Sequence, residues 1–201
     1  MRALFVLPVA VASMTNRPRY AALSPVPGAR AHLLVTDHAP CDAGVFAPGI
    51  GADDFPERWD VVAHARVLPQ PAGGPGVQHF RSVSHLLSLL RHRLGAETMG
   101  LRLYAAGSEP FVWDVARVAF DAGMGREELQ MFACGQPVRR VWCVHCRTVN
   151  PGVGTTLVTC AGCGVVLGVR DHFSRAQNAW LGVQCDAEAP GEVPEIEDLS
   201  A

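Results

Sequence analysis

Four cysteines arranged in two pairs constrain the fold of this chain more than any other feature of its sequence. Their spacing is C-x2-C-x13-C-x2-C, and they are Cys143, Cys146, Cys160 and Cys163. Each C-x2-C pair forms a tight turn that presents two sulfur atoms to one point, and four thiolates complete the tetrahedron that zinc prefers. The spacing therefore predicts a structural zinc site in a small β-rich zinc ribbon, with a β-hairpin between the pairs that turns at Gly152 and Gly154.

Two alternatives to zinc remain open from the spacing. Rubredoxin-like iron sites use the same spacing, and Gly164 after the second pair suits iron because a glycine there lets backbone amides point at sulfur. Arg147 follows the first pair instead, and the absence of an aromatic-rich miniature core favours zinc. Disulfides are the other alternative. Because four sulfur ligands close the coordination sphere, we expect the metal to stabilise the fold and not to perform chemistry.

The remaining cysteines have no partner at ligand spacing. We expect them to be buried small apolar residues, and they are Cys41, Cys134 and Cys185.

Length and charge exclude several classes of partner. The chain has 201 residues, of which 49% are hydrophobic, as in a globular protein with one domain of ordinary size and a small appendage. A net charge of −2 leaves no basic field for a phosphate backbone, so no nucleic-acid partner is expected. No stretch reaches the ~18 apolar residues of a spanning helix, so no membrane association is expected.

The first 13 residues have the outline of a short signal peptide, since Arg2 precedes the apolar run Ala3–Ala12. Pro8 interrupts that run, and the cysteine spacing suits a metal in a reducing compartment better than disulfides. We therefore expect a cytoplasmic protein. Secretion is the alternative, and a translation start at Met14 is a further possibility.

Hydrophobic periodicity between residues 31 and 137 predicts a parallel α/β sheet. Apolar residues at offsets 0, 3, 4, 7 and 11 form one face of a helix from Val83 to Leu94, which ends at Gly95. A second helix is expected to begin after Ser108, its N-cap, and to end at Gly123. The predicted strands are Ala31–Thr36, Val61–Leu68, Leu101–Ala106 and Leu129–Phe132. Helices alternating with strands at these lengths indicate a parallel sheet.

The C-terminal part is predicted to contain two further strands, at Gly164–Val169 and Ala179–Val183, with a short helix over residues 170–175 between them. The polar residues Asp171, His172 and Arg175 form the one constellation that could move protons, although a hydrogen bond between domains explains them more simply. The expected organisation is an arm over 1–30, an α/β domain over 31–137, a zinc ribbon over 138–185 and a loosely ordered acidic tail over 186–201.

The run Leu101–Phe132 resembles the last βαβ segment of the pyridine-nucleotide domain in ferredoxin reductase-like flavoproteins. The resemblance implies a reduced Rossmann-like α/β domain. Ala106 replaces that family's cysteine, and the chain has neither a flavin-binding barrel nor a G-x-G-x-x-G loop. Backbone amides at Gly107, Ser108 and Glu109 could still receive a nucleotide phosphate or a partner's carboxylate. The alternative is a degenerate scaffold that kept the fold and lost the ligand.

Several segments together resemble the small A subunit of bacterial dimethylamine monooxygenase. They are the two cysteine pairs, the run V-R-D-H-F-S-R, the run L-G-V-x-x-D-A-E-A-P-G-E and the arm N-R-P-R-Y. This resemblance implies a component of a multisubunit enzyme that demethylates dimethylamine to methylamine and formaldehyde. In such systems a flavin and iron–sulfur reductase subunit passes electrons from NADPH to a haem-binding subunit.

The chain itself carries no motif for those redox groups, since it lacks a C-x4-C-x2-C cluster motif, a flavin barrel and a haem-ligand signature. Haem, flavin and the iron–sulfur cluster are therefore expected only in partner subunits. The resemblance thus implies an accessory, structural zinc subunit without catalytic residues, whose partners are the haem-binding monooxygenase subunit and the reductase subunit. The alternatives are an NAD(P)H-binding reductase component and a rubredoxin-like electron carrier.

Overall fold

The computed structural model describes residues 16–37, 41, 44–62, 76–97 and 99–199. Within these residues the chain forms two five-stranded sheets and two α-helices. The first sheet contains the strands β1 (Ala31–Thr36), β2 (Glu57–Val61), β3 (Val77–Phe80), β4 (Leu101–Gly107) and β5 (Leu129–Ala133). The helices are α1 (Val83–Gly95) and α2 (Glu109–Asp121). The fold is therefore mixed α/β, as the sequence predicts.

All strands of the first sheet are parallel, in the order β3-β2-β1-β4-β5. Alternate residues of the central strands are buried on opposite faces, as expected for a parallel sheet that is covered on both sides. On one face Leu33 and Leu103 join the core formed with α1 and α2. On the other face Leu34 and Tyr104 pack in a second cluster with Leu23, Val45 and Phe55.

The predicted elements of this part agree with the structure at β1, α1, β4, α2 and β5. The predicted strand Val61–Leu68 overlaps β2 only at Val61, and residues 63–75 lie outside the described residues. Most of β2 and all of β3 were not predicted from the sequence. β2 reads E-R-W-D-V with charged residues at half-buried positions, and β3 has four residues, so pairing with β1 and β2 determines them more than local composition.

The second sheet is formed by the next five strands of the described chain, with no helix between them. They are β6 (Arg139–Cys143), β7 (Val149–Val153), β8 (Leu157–Thr159), β9 (Val166–Ser174) and β10 (Ala179–Gln184). Their order is β7-β6-β10-β9-β8, with β6 and β10 parallel and the other pairs antiparallel.

The predicted hairpin between the two cysteine pairs is wrong. β7 and β8 lie at opposite edges of the second sheet, and each pairs with a neighbour across a cysteine turn, β6 with β7 and β8 with β9. The tight C-x2-C turns themselves reverse the chain, so the segment between the pairs crosses from one edge of the sheet to the other. Gly152 has a φ of 68° but lies within β7.

The predicted short helix over residues 170–175 is also wrong, because β9 continues to Ser174. Phe173 and Ser174 pair with Trp180 and Ala179 of β10. The Phe173 side chain is 3% exposed, so pairing and burial override the local propensity of this polar run. The connecting turn ends at Asn178, whose φ of 51° is a left-handed conformation that asparagine tolerates.

The end of the acidic tail is docked on the second sheet and not loosely ordered as expected. The amide of Thr156 donates to the carbonyl of Glu197 at 2.8 Å, and the amide of Leu199 donates to the carbonyl of Gly154 at 2.8 Å. Leu199 is buried, whereas Val193 and Ile196 of the same tail are exposed. The tail therefore forms an anchored loop on the surface.

The two sheets share one apolar core through α2. The Trp113 ring of α2 lies 4.6 Å from the Phe173 ring, which lies 5.6 Å from the Trp180 ring. Phe173 and Trp180 lie in the second sheet, called the ribbon from here on, and belong to the same buried cluster as residues of α1 and the first sheet. Neither helix of the described part has the length and apolar character needed to cross a lipid bilayer.

Candidate metal centre and the junction of the two sheets

The four predicted cysteine ligands converge on one point. Their sulfur atoms all lie within 4.8 Å of one another, with 3.5 Å between Cys146 and Cys160 and 3.9 Å between Cys143 and Cys163. A tetrahedral ion with metal–sulfur bonds of ~2.3 Å separates its ligands by ~3.8 Å. The donor set therefore fits one tetrahedral thiolate-bound metal ion.

The two cysteine turns have equivalent backbones. The amide of Arg147 donates to the carbonyl of Cys143 at 2.8 Å, and the amide of Gly164 donates to the carbonyl of Cys160 at 2.9 Å. Arg147 and Gly164 both adopt left-handed conformations, with φ values of 67° and 75°. The arginine that distinguishes the first pair in sequence therefore leaves the geometry of its turn unchanged.

Polar groups around the sulfur atoms favour the thiolate form. The amide of Gly162 donates to Cys160 Sγ at 3.4 Å, and the side-chain amide of Asn150 lies 3.7 Å from the same atom. The Thr148 hydroxyl lies 3.3 Å from Cys146 Sγ. A side chain at Gly162 would collide with Thr148, so glycine is required for this close approach.

These contacts push the thiol pKa values apart. The backbone N–H of Cys163 lowers the pKa of Cys160 to about 6, and the Thr148 hydroxyl lowers the pKa of Cys146. The backbone N–H of Val165 acts to lower the pKa of Cys163, but burial and the neighbouring sulfur atoms raise it to about 12. Four thiolates this close would repel one another, so the fully deprotonated site requires a cation, whose binding would release protons.

A single carboxylate at the start of α2 links the arm to the ribbon. Glu109 accepts a hydrogen bond from the Tyr20 hydroxyl at 3.0 Å and another from Trp180 Nε1 at 2.6 Å. Trp113 Nε1 donates to the Tyr20 oxygen at 2.9 Å. Burial and the charge of Glu109 raise the pKa of the Tyr20 phenol well above its usual range. These contacts were not predicted from the sequence, because the residues that form them lie far apart in the chain.

The N-terminus of α2 is occupied by a carboxylate of the chain itself. The amide of Ser108 donates to both carboxylate oxygens of Asp37 at 3.1 Å, and the Ser108 hydroxyl donates to one of them at 2.5 Å. A side chain at Gly107 would collide with this carboxylate. Polar groups of the chain thus contact all three predicted positions: Ser108 binds Asp37, Glu109 binds Tyr20 and Trp180, and the carbonyl of Gly107 accepts from the amide of Cys134. The nucleotide or partner contact expected there stays a prediction.

A second carboxylate of α2, further along the helix than Glu109, also contacts the ribbon. Arg140 of β6 donates two hydrogen bonds to the oxygens of Asp114, at 2.9 and 2.8 Å. The Asn178 side-chain amide donates to Asp114 at 3.0 Å. The neighbouring Arg139 lies 3.8 Å above the Trp180 ring. Charged hydrogen bonds therefore surround the aromatic contact between the two parts.

The polar run around His172 is structural. Asp171 accepts a hydrogen bond from Arg17 Nε at 2.6 Å and lies 3.7 Å from an Arg139 nitrogen. His172 is exposed, and the arm pairs with its backbone through Asn16. These contacts agree with the simpler of the two expectations, a hydrogen bond between parts of the molecule.

The expectation for two of the three remaining cysteines is wrong. Cys41 and Cys134 form a disulfide, with their Cα atoms 5.1 Å apart, and Cys41 is exposed while Cys134 is half-buried. Cys185 is a half-buried free thiol. Because 93 residues separate the bonded pair, no local spacing indicates it. Their proximity arises because β1 and β5 end at the same edge of the first sheet.

Fold and site together define an α/β protein with an appended four-cysteine ribbon able to hold a metal ion. Two family models match the chain. The N-terminal domain of the dimethylamine monooxygenase subunit DmmA-like proteins matches residues 56–129, and the C-terminal domain of the same family matches residues 140–183.

A curated protein of Ectopseudomonas mendocina (strain ymp), the delta subunit of a heme-dependent oxidative N-demethylase, is 34% identical over 173 residues. The match covers 86% of this chain and 90% of that protein. No solved structure matches the chain significantly. The chain therefore belongs to the DmmA-like family of dimethylamine monooxygenase subunits.

Proposed function

We propose that this chain is an accessory, zinc-binding subunit of a haem-dependent monooxygenase that oxidatively demethylates dimethylamine to methylamine and formaldehyde. The observation that carries the proposal is the match to the delta subunit of a haem-dependent oxidative N-demethylase over 90% of that protein's length. The partners we propose are a haem-binding monooxygenase subunit and a flavin and iron–sulfur reductase subunit that supplies electrons from NADPH. We place the assembly in the cytoplasm.

Zinc in the four-cysteine site has a structural role in this proposal. Four sulfur donors leave no coordination position for water or substrate, so the ion stabilises the ribbon and does not catalyse the reaction. The distances of 3.5 and 3.9 Å between sulfur atoms support tetrahedral coordination. Iron would fit the same distances, and a rubredoxin-like electron carrier is the outcome that a metal analysis would distinguish.

In this proposal the chain is organised as an arm over 1–30, a Rossmann-like domain over 31–137, a zinc ribbon over 138–185 and a tail over 186–201. The Rossmann-like domain serves as a scaffold. The parallel strand order β3-β2-β1-β4-β5 supports a Rossmann-like ancestry. The Asp37 carboxylate accepts a hydrogen bond from the amide of Ser108 at the start of α2, a position at which Rossmann-like domains bind phosphate. This contact supports a scaffold that kept the fold and lost the nucleotide.

The proposal is tested by co-expressing the tagged chain with the products of its neighbouring genes and measuring metal, haem and flavin in the purified material. We expect about one zinc per chain, together with a haem protein and a flavoprotein that demethylate dimethylamine with NADPH. Iron with visible absorption would indicate an electron carrier. A zinc protein that retains neither redox partner would refute the assignment.

Nucleotide binding is tested separately on the purified chain by a thermal shift with NADPH and NADH. We expect no shift for the native chain. If an anion competes with Asp37, the variant Asp37→Asn would gain a shift that native protein lacks. A clear shift of the native protein would favour the NAD(P)H-binding reductase component.

A further inference from the structure

A groove of about 870 Å³ lies along α2, away from the metal centre and beside the junction, with which it shares Trp113 and Asn178. It is bounded by α2, the turn before β5, the first half of β5 and the turn between β9 and β10. Its apolar side chains are Trp113, Phe120, Met124, Leu129 and Met131. Phe120 is 40% exposed, although a phenylalanine usually lies inside a folded protein. The groove is therefore an apolar surface open to solvent.

Three arginines surround this apolar floor: Arg117, Arg126 and Arg175. All three are exposed, and none forms an ion pair within the described part of the chain. Among the residues that the structure describes, Asp121 is the one acidic residue that lines the groove. The groove is therefore locally positive on a chain whose net charge is −2.

The composition and position of the groove favour a protein occupant. Arginine, methionine and aromatic residues are enriched where proteins bind one another, and exposed apolar patches with a polar rim mark such sites. The groove contains residues of both the α/β part and the ribbon, so one occupant would contact both. It also borders β5, which pairs only with β4 among the described strands and leaves its other edge open.

We propose that this groove is the docking surface for a partner subunit of the monooxygenase, and that its occupant is an acidic segment with an apolar or aromatic anchor. The anchor packs on Phe120 and Met131, and its carboxylates pair with the three arginines. This inference rests on the proposed function, because it takes the partner to be a subunit of the same enzyme. It adds the surface and the chemistry of the contact.

The test measures the affinity of the purified full-length chain for each partner subunit. We expect Phe120→Asp and the double variant Arg117→Glu/Arg126→Glu to weaken binding roughly tenfold or more. The matched controls are Arg81→Glu and Arg170→Glu, which reverse exposed arginines away from the groove and should stay within about twofold of native affinity.

The affinity of the native chain for its partner should weaken between about 50 and about 300 mM salt, and the double variant should lose most of this salt dependence. Metal content and melting temperature establish that each variant is folded.

The outcomes separate the two hypotheses. Groove variants that bind a partner as tightly as native protein would overturn the docking site and leave the subunit assignment intact. A native chain that binds neither subunit would refute the assignment, and the docking site with it. Self-association that is lost in both Phe120→Asp and Ile196→Glu would overturn the inference in favour of the acidic tail of a second copy as the occupant.

Discussion

The α/β part and the ribbon reach a folded state by different means. The α/β part buries apolar residues on both faces of its sheet, and its two helices each bury one continuous face. The core that belongs to the ribbon alone contains five buried residues, and two of them are proposed metal ligands: Val141, Cys143, Val153, Cys160 and Leu167. A unit with so little apolar core requires other stabilisation, which we propose comes from a metal ion and from the contact with α2. The two parts are therefore expected to respond differently to substitution.

The largest effect is expected from removing a metal ligand. Binding of structural zinc contributes about 10–16 kcal/mol in small zinc domains, more than a core of this size can replace. Cys160→Ser should therefore abolish metal binding and unfold the ribbon, while the first sheet retains its structure. Metal content and amide hydrogen exchange measure both effects. Cys185→Ser is the matched control and should retain the metal. Ribbon amides that stay protected in metal-free Cys160→Ser would show that the apolar core alone suffices.

The contact between the parts should give the next largest effect. Asp114→Ala leaves Arg140 and Asn178 without their charged partner at a site where both ionic side chains are about a quarter exposed. We expect a loss of about 2–3 kcal/mol in the free energy of unfolding, measured in urea. Asp53→Ala removes a fully exposed carboxylate and should change little. Equal effects of the two substitutions would mean that the contact does not couple the parts.

Alkaline pH should loosen the arm from the junction. The pKa of Tyr20 is raised in the folded state by burial and by Glu109, so this group contributes stability that is complete below pH ~10 and declines as pH rises above it. The chain has no lysine and two tyrosines, and the pKa of Tyr104 is also raised. Absorbance near the tyrosinate band should therefore stay constant past pH ~10 until the protein unfolds.

Tyr20→Phe is the variant that assigns this effect. It should cost about 1–2 kcal/mol at neutral pH, because two hydrogen bonds are lost, and it should reduce the decline of stability above pH ~10. Tyrosinate absorbance that appears in the folded native protein below pH 10 would contradict the raised pKa of Tyr20 in its partly buried position.

The smallest effect is expected at the exposed end of the arm. Arg17 and Asp171 are 44% and 39% exposed, so solvent screens their ion pair. Arg17→Ala should change the free energy of unfolding by less than about 1 kcal/mol, and added salt should reduce the difference further. A larger loss would show that the arm contributes to the stability of the ribbon as much as α2 does.

Most of the metal site and about half of the fold could be predicted from local sequence. The cysteine spacing predicts that the four cysteines converge, and the leucine period defines α1 with its end at Gly95. Local sequence did not predict the structure where the interacting residues lie far apart in the chain. The run after Val169 has polar residues that favour a helix or loop, yet Phe173 pairs with Trp180 and remains in a strand.

The sequence by itself determined which four cysteines come together as a candidate metal site and which segments form the helices, because two-residue cysteine turns and helical periods are local properties of a chain. Only the tertiary structure decided the order of the ribbon strands, the Cys41–Cys134 disulfide and the contacts of Glu109 and Asp37. Each of these joins residues dozens of positions apart or more. The disulfide and the Asp37 contact form where parallel strands of the first sheet end at the same edge, and the Glu109 contacts form where the arm, α2 and β10 pack together. Sequence spacing does not indicate either arrangement.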